Sequence, residues 1–268
     1  MEEYQTLYRI ERKELLKRRG KLAEDHPSVA VTFSLAFKKV ADDNPAAADL
    51  LRVCAFLEAG SVPEEIFAVS ANKAPFENGG VVLLRKLSKI RFFRVFFRRR
   101  KGILGEALGS VAESQLGLSD SIEETARFSL LRRHPEARTL SLHRLAQAVL
   151  RDEMDDDTGR VWAERAVRAV NEVFPNVEYS NWPSCDRLIR HAQALAPMIE
   201  KYGFDFPEAT RLLNDAGCYL DERGQYAEAE LLYRRGLAVG ARRGLKGSPR
   251  RIFAAEYEFA SPLERGAD

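Results

Sequence analysis

The residues best suited to chemistry gather in one basic stretch. Arg85, Lys86, Lys89, Arg91, Arg94 and the run Arg98, Arg99, Arg100 and Lys101 give nine cations without an intervening acid. Phe92, Phe93, Phe96 and Phe97 are interleaved with them. Such a segment can neutralise phosphates while its rings stack on bases. It can equally lie as an amphipathic helix on an anionic membrane. A charge run is more often a solvated, loosely ordered insertion, and that plainer reading weighs most here. Arg98, Arg99 and Arg100 are the interaction candidates of this stretch.

Elsewhere the candidates for catalysis dissolve. Glu64-Glu65, Glu123-Glu124 and Asp155 to Asp157 fall at helix starts, where carboxylates complement the dipole rather than serve as general acids or bases. Cys54, Cys185 and Cys218 form no CxxC pair and have no histidine at metal-ligand spacing. Reduced thiols in a cytoplasmic setting are expected, with neither a disulfide scaffold nor a zinc site. No GxSxG or HExxH occurs, and Gly79-Gly80 and Gly102 to Gly105 lack the Lys-Ser or Lys-Thr of a phosphate-cradling loop. The chain reads as non-catalytic and free of a cofactor of its own.

With 268 residues there is room for two domains, and 45% hydrophobic with 31% charged residues suits helices with solvated faces. The net charge of +2 hides an asymmetry: setting the nine cations of 85–101 aside leaves −7 for the rest. The N-terminus is charged from Glu2 onward, which fits neither a signal peptide nor a membrane span.

The elements follow from spacing and punctuation. Residues 3–19 suggest a polar helix closed by Gly20. Val29, Phe33, Phe37 and Val40 recur at helical spacing until Asn44-Pro45 breaks the pattern. Pro45 opens a second helix carrying Leu50, Cys54 and Leu57 and closing at Gly60. Val62-Pro63-Glu64-Glu65 is expected to start a third, with proline in the first position and acids behind it. After the basic insert at 72–105 comes a short helix from Glu106. Asp120 and Glu123 suggest a capping-box start for a helix through Ile122, Ala126 and Leu130.

Residues 129–143 then read as two short strands joined by a proline-containing turn, and a helix runs from Arg144 to about Glu153. Three helices, a β-hairpin and a closing helix are the ingredients of a winged-helix domain, placed at 26–154 behind an N-terminal segment 1–25. Beyond the Asp155–Asp157 break, one helix carries Trp162, Ala166, Val170 and Val173. Another begins at Pro183 with Leu188, Ala192, Leu195 and Ile199, and Pro197 threatens its last turn.

Residues 211–239 resemble one tetratricopeptide-type hairpin. Leu213, Ala216, Gly217 and Leu220 share a face of its first helix, Gly224 and Tyr226 mark the turn, and Ala229, Tyr233 and Gly236 line its second helix. Such a unit cannot bury its face alone. Tyr226 and Tyr233 are therefore candidates for contact with a protein partner or with further repeats. Residues 157–201 form a diverged hairpin or a connector beside it. The expected architecture is mainly α: a winged-helix domain, then a short tetratricopeptide-like region over 155–240 and a disordered tail over 241–268.

Taken in order, HPSVAVTFSLAFKKVADDNPAAADLLRVCAFLEAGSVPEEIF, SLLRRHPEARTLSLHRLAQAVLRDEM, LIRHAQAL and the hairpin resemble the region behind the ATPase core of bacterial STAND signalling ATPases. These are of the NB-ARC type with C-terminal tetratricopeptide arrays. The likeness runs over roughly residues 4–239, the basic insert excepted. It implies a nucleotide-gated switch whose arm and first repeat lie here, with the P-loop expected upstream or in a partner chain. In LSLHRL, His143 matches the histidine of the family's Met-His-Asp motif, which contacts bound ADP. Leu142 and Arg144 replace the flanking Met and Asp, so the motif is matched only in part. An imidazole suits that role because it can donate to a phosphate oxygen near neutral pH. Without an ATPase core, His143 is expected simply to end a strand and cap the next helix.

A DNA-binding winged-helix regulator is the rival reading, with the basic insert supplying phosphate contacts. The presumed recognition helix at 119–130 starts acidic, however, and would repel the DNA backbone.

Overall fold

The computed structural model describes residues 29–68, 104–112 and 114–243. The expected N-terminal helix, Arg98 to Arg100 and the tail beyond Arg243 lie outside the described residues. The chain divides into two compact units. Among the described residues one holds 29–55 and 59–159, and the other 56–58 and 160–243. The protein is mainly helical, with one small sheet among the described residues.

The first unit is organised around a helix with almost no polar face. Helix α1 (Val29–Asp43) gives way at Asn44, whose side chain accepts from Ala47 N at 3.0 Å. That cap and Pro45 in the first turn set the start of α2 (Pro45–Cys54). Ala46, Ala47, Ala48, Leu50, Leu51, Val53 and Cys54 are all buried, because α1, α3 (Glu106–Val111), α4 (Gln115–Arg127) and α5 (Arg144–Glu153) pack around it. Its buried charge is resolved locally. Asp49 accepts from Arg52 Nη1 at 3.0 Å and from Leu108 N at 3.4 Å, which also ties α3 to α2. Gln147 of α5 donates to the Cys54 carbonyl at 3.0 Å, satisfying an acceptor at the end of α2. Helix α2 stops there, six residues short of the expected Gly60, and Leu57 is buried outside the helix.

Two further boundaries differ from the sequence reading. Val62–Pro63 is a strand, β1, rather than a helix start, and Glu64–Ile66 is a single 3-10 turn. Strands β2 (Leu131–His134) and β3 (Thr139–Leu142) form the expected hairpin, and β1 joins it to give the order β1-β3-β2, all antiparallel. Val62 pairs with Leu140 and both are fully buried, so sheet pairing and burial override the helix signal of Pro-Glu-Glu. Pro63 is tolerated because β1 is an edge strand and need not donate on both sides. The second difference is the start of α4. Ser114 caps it by accepting from Gly117 N at 3.4 Å, which leaves Asp120 and Glu123 inside the helix and exposed. Leu130 lies beyond its end, where Ser129 takes φ +56° and Leu130 N returns to the Thr125 carbonyl.

The second unit contains α7 (Trp182–Lys201), α8 (Pro207–Glu222), α9 (Tyr226–Arg242) and the part of α6 (Asp156–Val173) from Arg160 onward. Asp155 starts α6 by accepting from Thr158 N at 2.7 Å, and that bond holds its carboxyl below the usual range. Helices α7 and α8 end alike. Gly203 and Gly224 take φ +61° and +75°, and the following amides, of Phe204 and Gln225, return to carbonyls five residues back at 3.0 and 2.8 Å. Pro197 sits within α7, which runs unbroken to Lys201. Helix α9 continues to Arg242, through Gly240, so the expected break after Val239 comes three residues too early.

The helices meet in a regular pattern. From α6 to α8, Arg168 reaches Glu208 at 3.5 Å and Arg211 reaches Asn171 at 3.0 Å, each pair 40 residues apart. From α7 to α9, Gln193 reaches Glu228 at 2.8 Å and Arg235 reaches Glu200 at 3.2 Å, each pair 35 apart. A constant offset along two rungs means the partners run in the same direction. Thus α6 lies parallel to α8 and α7 parallel to α9. Helices α8 and α9 pack closely on each other, with Tyr233 of α9 against Gly217 of α8. Among the described residues, no helix is long and apolar enough to cross a membrane.

Candidate functional site

Two separate places hold the residues singled out from sequence. In the first unit His143 follows β3 and is the N-cap of α5. Its Nδ1 accepts from Leu145 N at 3.2 Å and its carbonyl accepts from Gln147 N at 2.9 Å. The ring stacks on Phe33 of α1, with centroids 6.3 Å apart and planes 26° apart. With Nδ1 accepting, the neutral ring carries its proton on Nε2, so one donor remains for an anion. His143 is exposed, and the neighbouring Arg144 is exposed too.

In the second unit the two tyrosines behave differently. Tyr226 opens α9 and is 68% exposed. Tyr233 is half-buried and its ring lies against Gly217 of α8. A Cβ built at Gly217 would stand 2.7 Å from Tyr233 Cε1 and 2.9 Å from Cδ1, so a glycine is required for this approach.

The Tyr233 hydroxyl leads into a polar chain that sequence patterning did not reveal. It donates to the Cys218 sulfur, and burial together with that bond pushes the hydroxyl's pKa up. The Cys218 thiol faces Asn214 Oδ1 at 3.8 Å, and Asn214 Nδ2 donates to Asp215 Oδ1 at 3.2 Å. Asn214 and Asp215 are each 6% exposed. Their presence beside Leu212 and Leu213, on a helix otherwise patterned for a core, is the signal that could have marked them. At the C-terminal end of α8, Tyr219 donates to Asp186 at 3.3 Å and Trp182 donates to Glu222 at 3.1 Å, with the Arg223 guanidinium 5.1 Å from the indole centroid.

The seam between α6 and α8 carries a second polar feature. Arg168 is paired twice over, with Glu164 at 2.8 Å and Glu208 at 3.5 Å, and lies 4.3 Å over the Phe206 ring. On the next rung Arg211 meets an amide rather than an acid, through Asn171 Oδ1.

The thiols are built for inertness. Burial pushes Cys54 up to about 12, and burial with the charges of Asp215 and Glu222 pushes Cys185 up to about 11. Burial raises Cys218 as well, but it remains partly accessible. Iodoacetamide at mildly alkaline pH should therefore alkylate Cys218 well before Cys54 or Cys185, read by peptide mass spectrometry. Faster labelling of Cys54 would refute this ordering. Cys54 also sets a pH dependence. Burial lifts its folded pKa above the ordinary thiol value of 9.0, so its contribution is intact below pH 9 and is lost as pH rises toward about 12.

No group of three His, Cys, Asp or Glu among the described residues could hold a metal ion. Set against protein-family models, curated proteins and solved structures, the chain matches none of them.

Proposed function

We propose that this chain is the non-catalytic regulatory and protein-interaction segment of a STAND-type signal-transduction ATPase. In this reading the first unit is the winged-helix arm and the second begins a tetratricopeptide-like sensor. The observation that carries it is the parallel register of the second unit. The offset of 35 residues between the parallel helices α7 and α9 sits close to the period of about 34 expected of such repeats, and that of 40 between α6 and α8 is somewhat longer. Stacked hairpins bury their faces only against neighbours and present one continuous surface to a ligand, which suits sensing rather than chemistry. The helix-and-hairpin composition of the first unit, with His143 at the strand-to-helix junction, supports the arm assignment.

His143 would then meet ADP only when an ATPase core, in the same polypeptide or in trans, brings the nucleotide to it. Its free Nε2–H is the donor it would offer. Binding of the isolated chain to ATP or ADP with magnesium should be absent in calorimetric titration. A micromolar dissociation constant would overturn the non-catalytic reading, because a phosphate cradle would then exist within these residues.

A further inference from the structure

We propose that Arg211, held in place by Asn171, is a recognition point for a carboxylate of a protein partner on the seam of the second unit. The proposal rests on the interaction reading above and gives it a ligand chemistry.

The two rungs of the α6–α8 seam make the case by contrast. On the first, the Arg168 guanidinium is neutralised internally by Glu164 and Glu208. On the second, the Arg211 Nε–H donates to Asn171 Oδ1 at 3.0 Å, and that amide is the acceptor Arg211 has among the described residues. Asn171 thus stands where a carboxylate would complete the pair. The guanidinium is oriented by one N–H while its terminal nitrogens keep their donors, on a side chain that is half-exposed. An oriented arginine fork fits a planar carboxylate with two parallel hydrogen bonds.

Asn171 itself is the second observation. It is 4% exposed, and its Nδ2 is buried with no hydrogen-bond acceptor among the described residues. The amide cannot turn over to relieve this, because a guanidinium only donates and must face Oδ1. An apolar side chain there would leave no orphaned donor, so the amide costs stability that its hold on Arg211 accounts for. The arrangement is a poor device for folding and a good one for presenting a cation.

The test uses the full chain, isotope-labelled, with the Arg211 Nε–H and the Asn171 side-chain amide followed by NMR. Sodium acetate is titrated against sodium chloride at matched ionic strength. Acetate should produce saturable shifts at both groups, and chloride should not. Arg211→Gln should weaken the response about tenfold or more, whereas Arg190→Gln, at an exposed site on α7, should leave it unchanged. Asn171→Asp supplies the carboxylate internally and should abolish the response without help from any ligand. Should one variant fail to fold, the other still decides the matter.

Two short Gly/Ser peptides separate the possible sources. One has an amidated end and a single internal Asp, and the other a free C-terminal carboxylate alone. The tighter of the two identifies whether a side chain or a chain terminus is read. Absence of a saturable acetate shift, or its persistence in Arg211→Gln, overturns the site. Nucleotide titration of the same sample keeps the two claims apart. ATP binding with an intact acetate response removes the regulatory reading and keeps the site. No ATP binding and no acetate response removes the site alone.

Discussion

Gly217→Leu should destabilise the second unit by about 3 kcal/mol, the upper part of the range for overpacking a close helix contact. The physical conflict is local. Even a methyl group at this position would come within 2.7 Å of the Tyr233 ring, and three ring atoms lie within 3.2 Å. Gly217→Ala sets two effects against each other. Alanine gains roughly 1 kcal/mol of helix propensity over glycine, while the clash costs about 1–3 kcal/mol. The ring cannot swing away freely, because its hydroxyl is engaged by Cys218. The clash should win, with a net loss of about 1 kcal/mol for alanine. Coupling to the ring gives the decisive check. Adding Tyr233→Leu to Gly217→Ala should cost less than the two single changes together, since the partner of the clash has gone. Strict additivity in urea unfolding would show that the ring is not what constrains position 217.

Phe204→Ala should be the most damaging single change in the second unit, at about 3–5 kcal/mol. Phe204 is 1% exposed at the connection between α7 and α8. Its ring stacks on Tyr202 at 5.7 Å, meets Phe206 at 5.3 Å and has the Arg160 guanidinium 5.3 Å from its centroid. Arg160 also donates to the Tyr202 carbonyl, and Arg242 of α9 donates to the Phe204 carbonyl at 2.8 Å. The ring therefore ties Arg160 of α6 to the residues that end α7 and start α8, while the Arg242 bond is to the backbone and survives truncation, which leaves a cavity walled by Tyr202 and Phe206. Both tryptophans, Trp162 and Trp182, lie in this unit, so tryptophan fluorescence follows its unfolding separately from the rest. A loss below about 1 kcal/mol, the ordinary value for an arbitrary substitution, would contradict this central role.

The amino-acid sequence by itself determined the elements whose signals are local. Asn44-Pro45 stops one helix and starts the next because an amide side chain can satisfy an orphaned N–H and a proline needs none there. Asp155 starts α6 for the same reason, and the strands at 131–134 and 139–142 with the helix from Arg144 follow from alternation and then helical spacing. Gly217 was legible too, as part of the face its helix turns to a neighbour, and Tyr233 is what meets it there.

Tertiary structure decided the rest, because the deciding partners are far away in the chain. Val62–Pro63 carries a helix-start signal, yet it is a strand because β3, nearly eighty residues on, offers an unpaired edge and a buried place beside Leu140. Asp120 and Glu123 look like a cap, but Ser114 captures the orphaned amide first. The Arg211–Asn171 and Arg168–Glu208 rungs join residues 40 positions apart, and nothing in the local pattern of either helix marks them. Period and capping act over a few residues and are written in the sequence. The choice of which acid meets which arginine, and which arginine meets only an amide, is made when the helices come together.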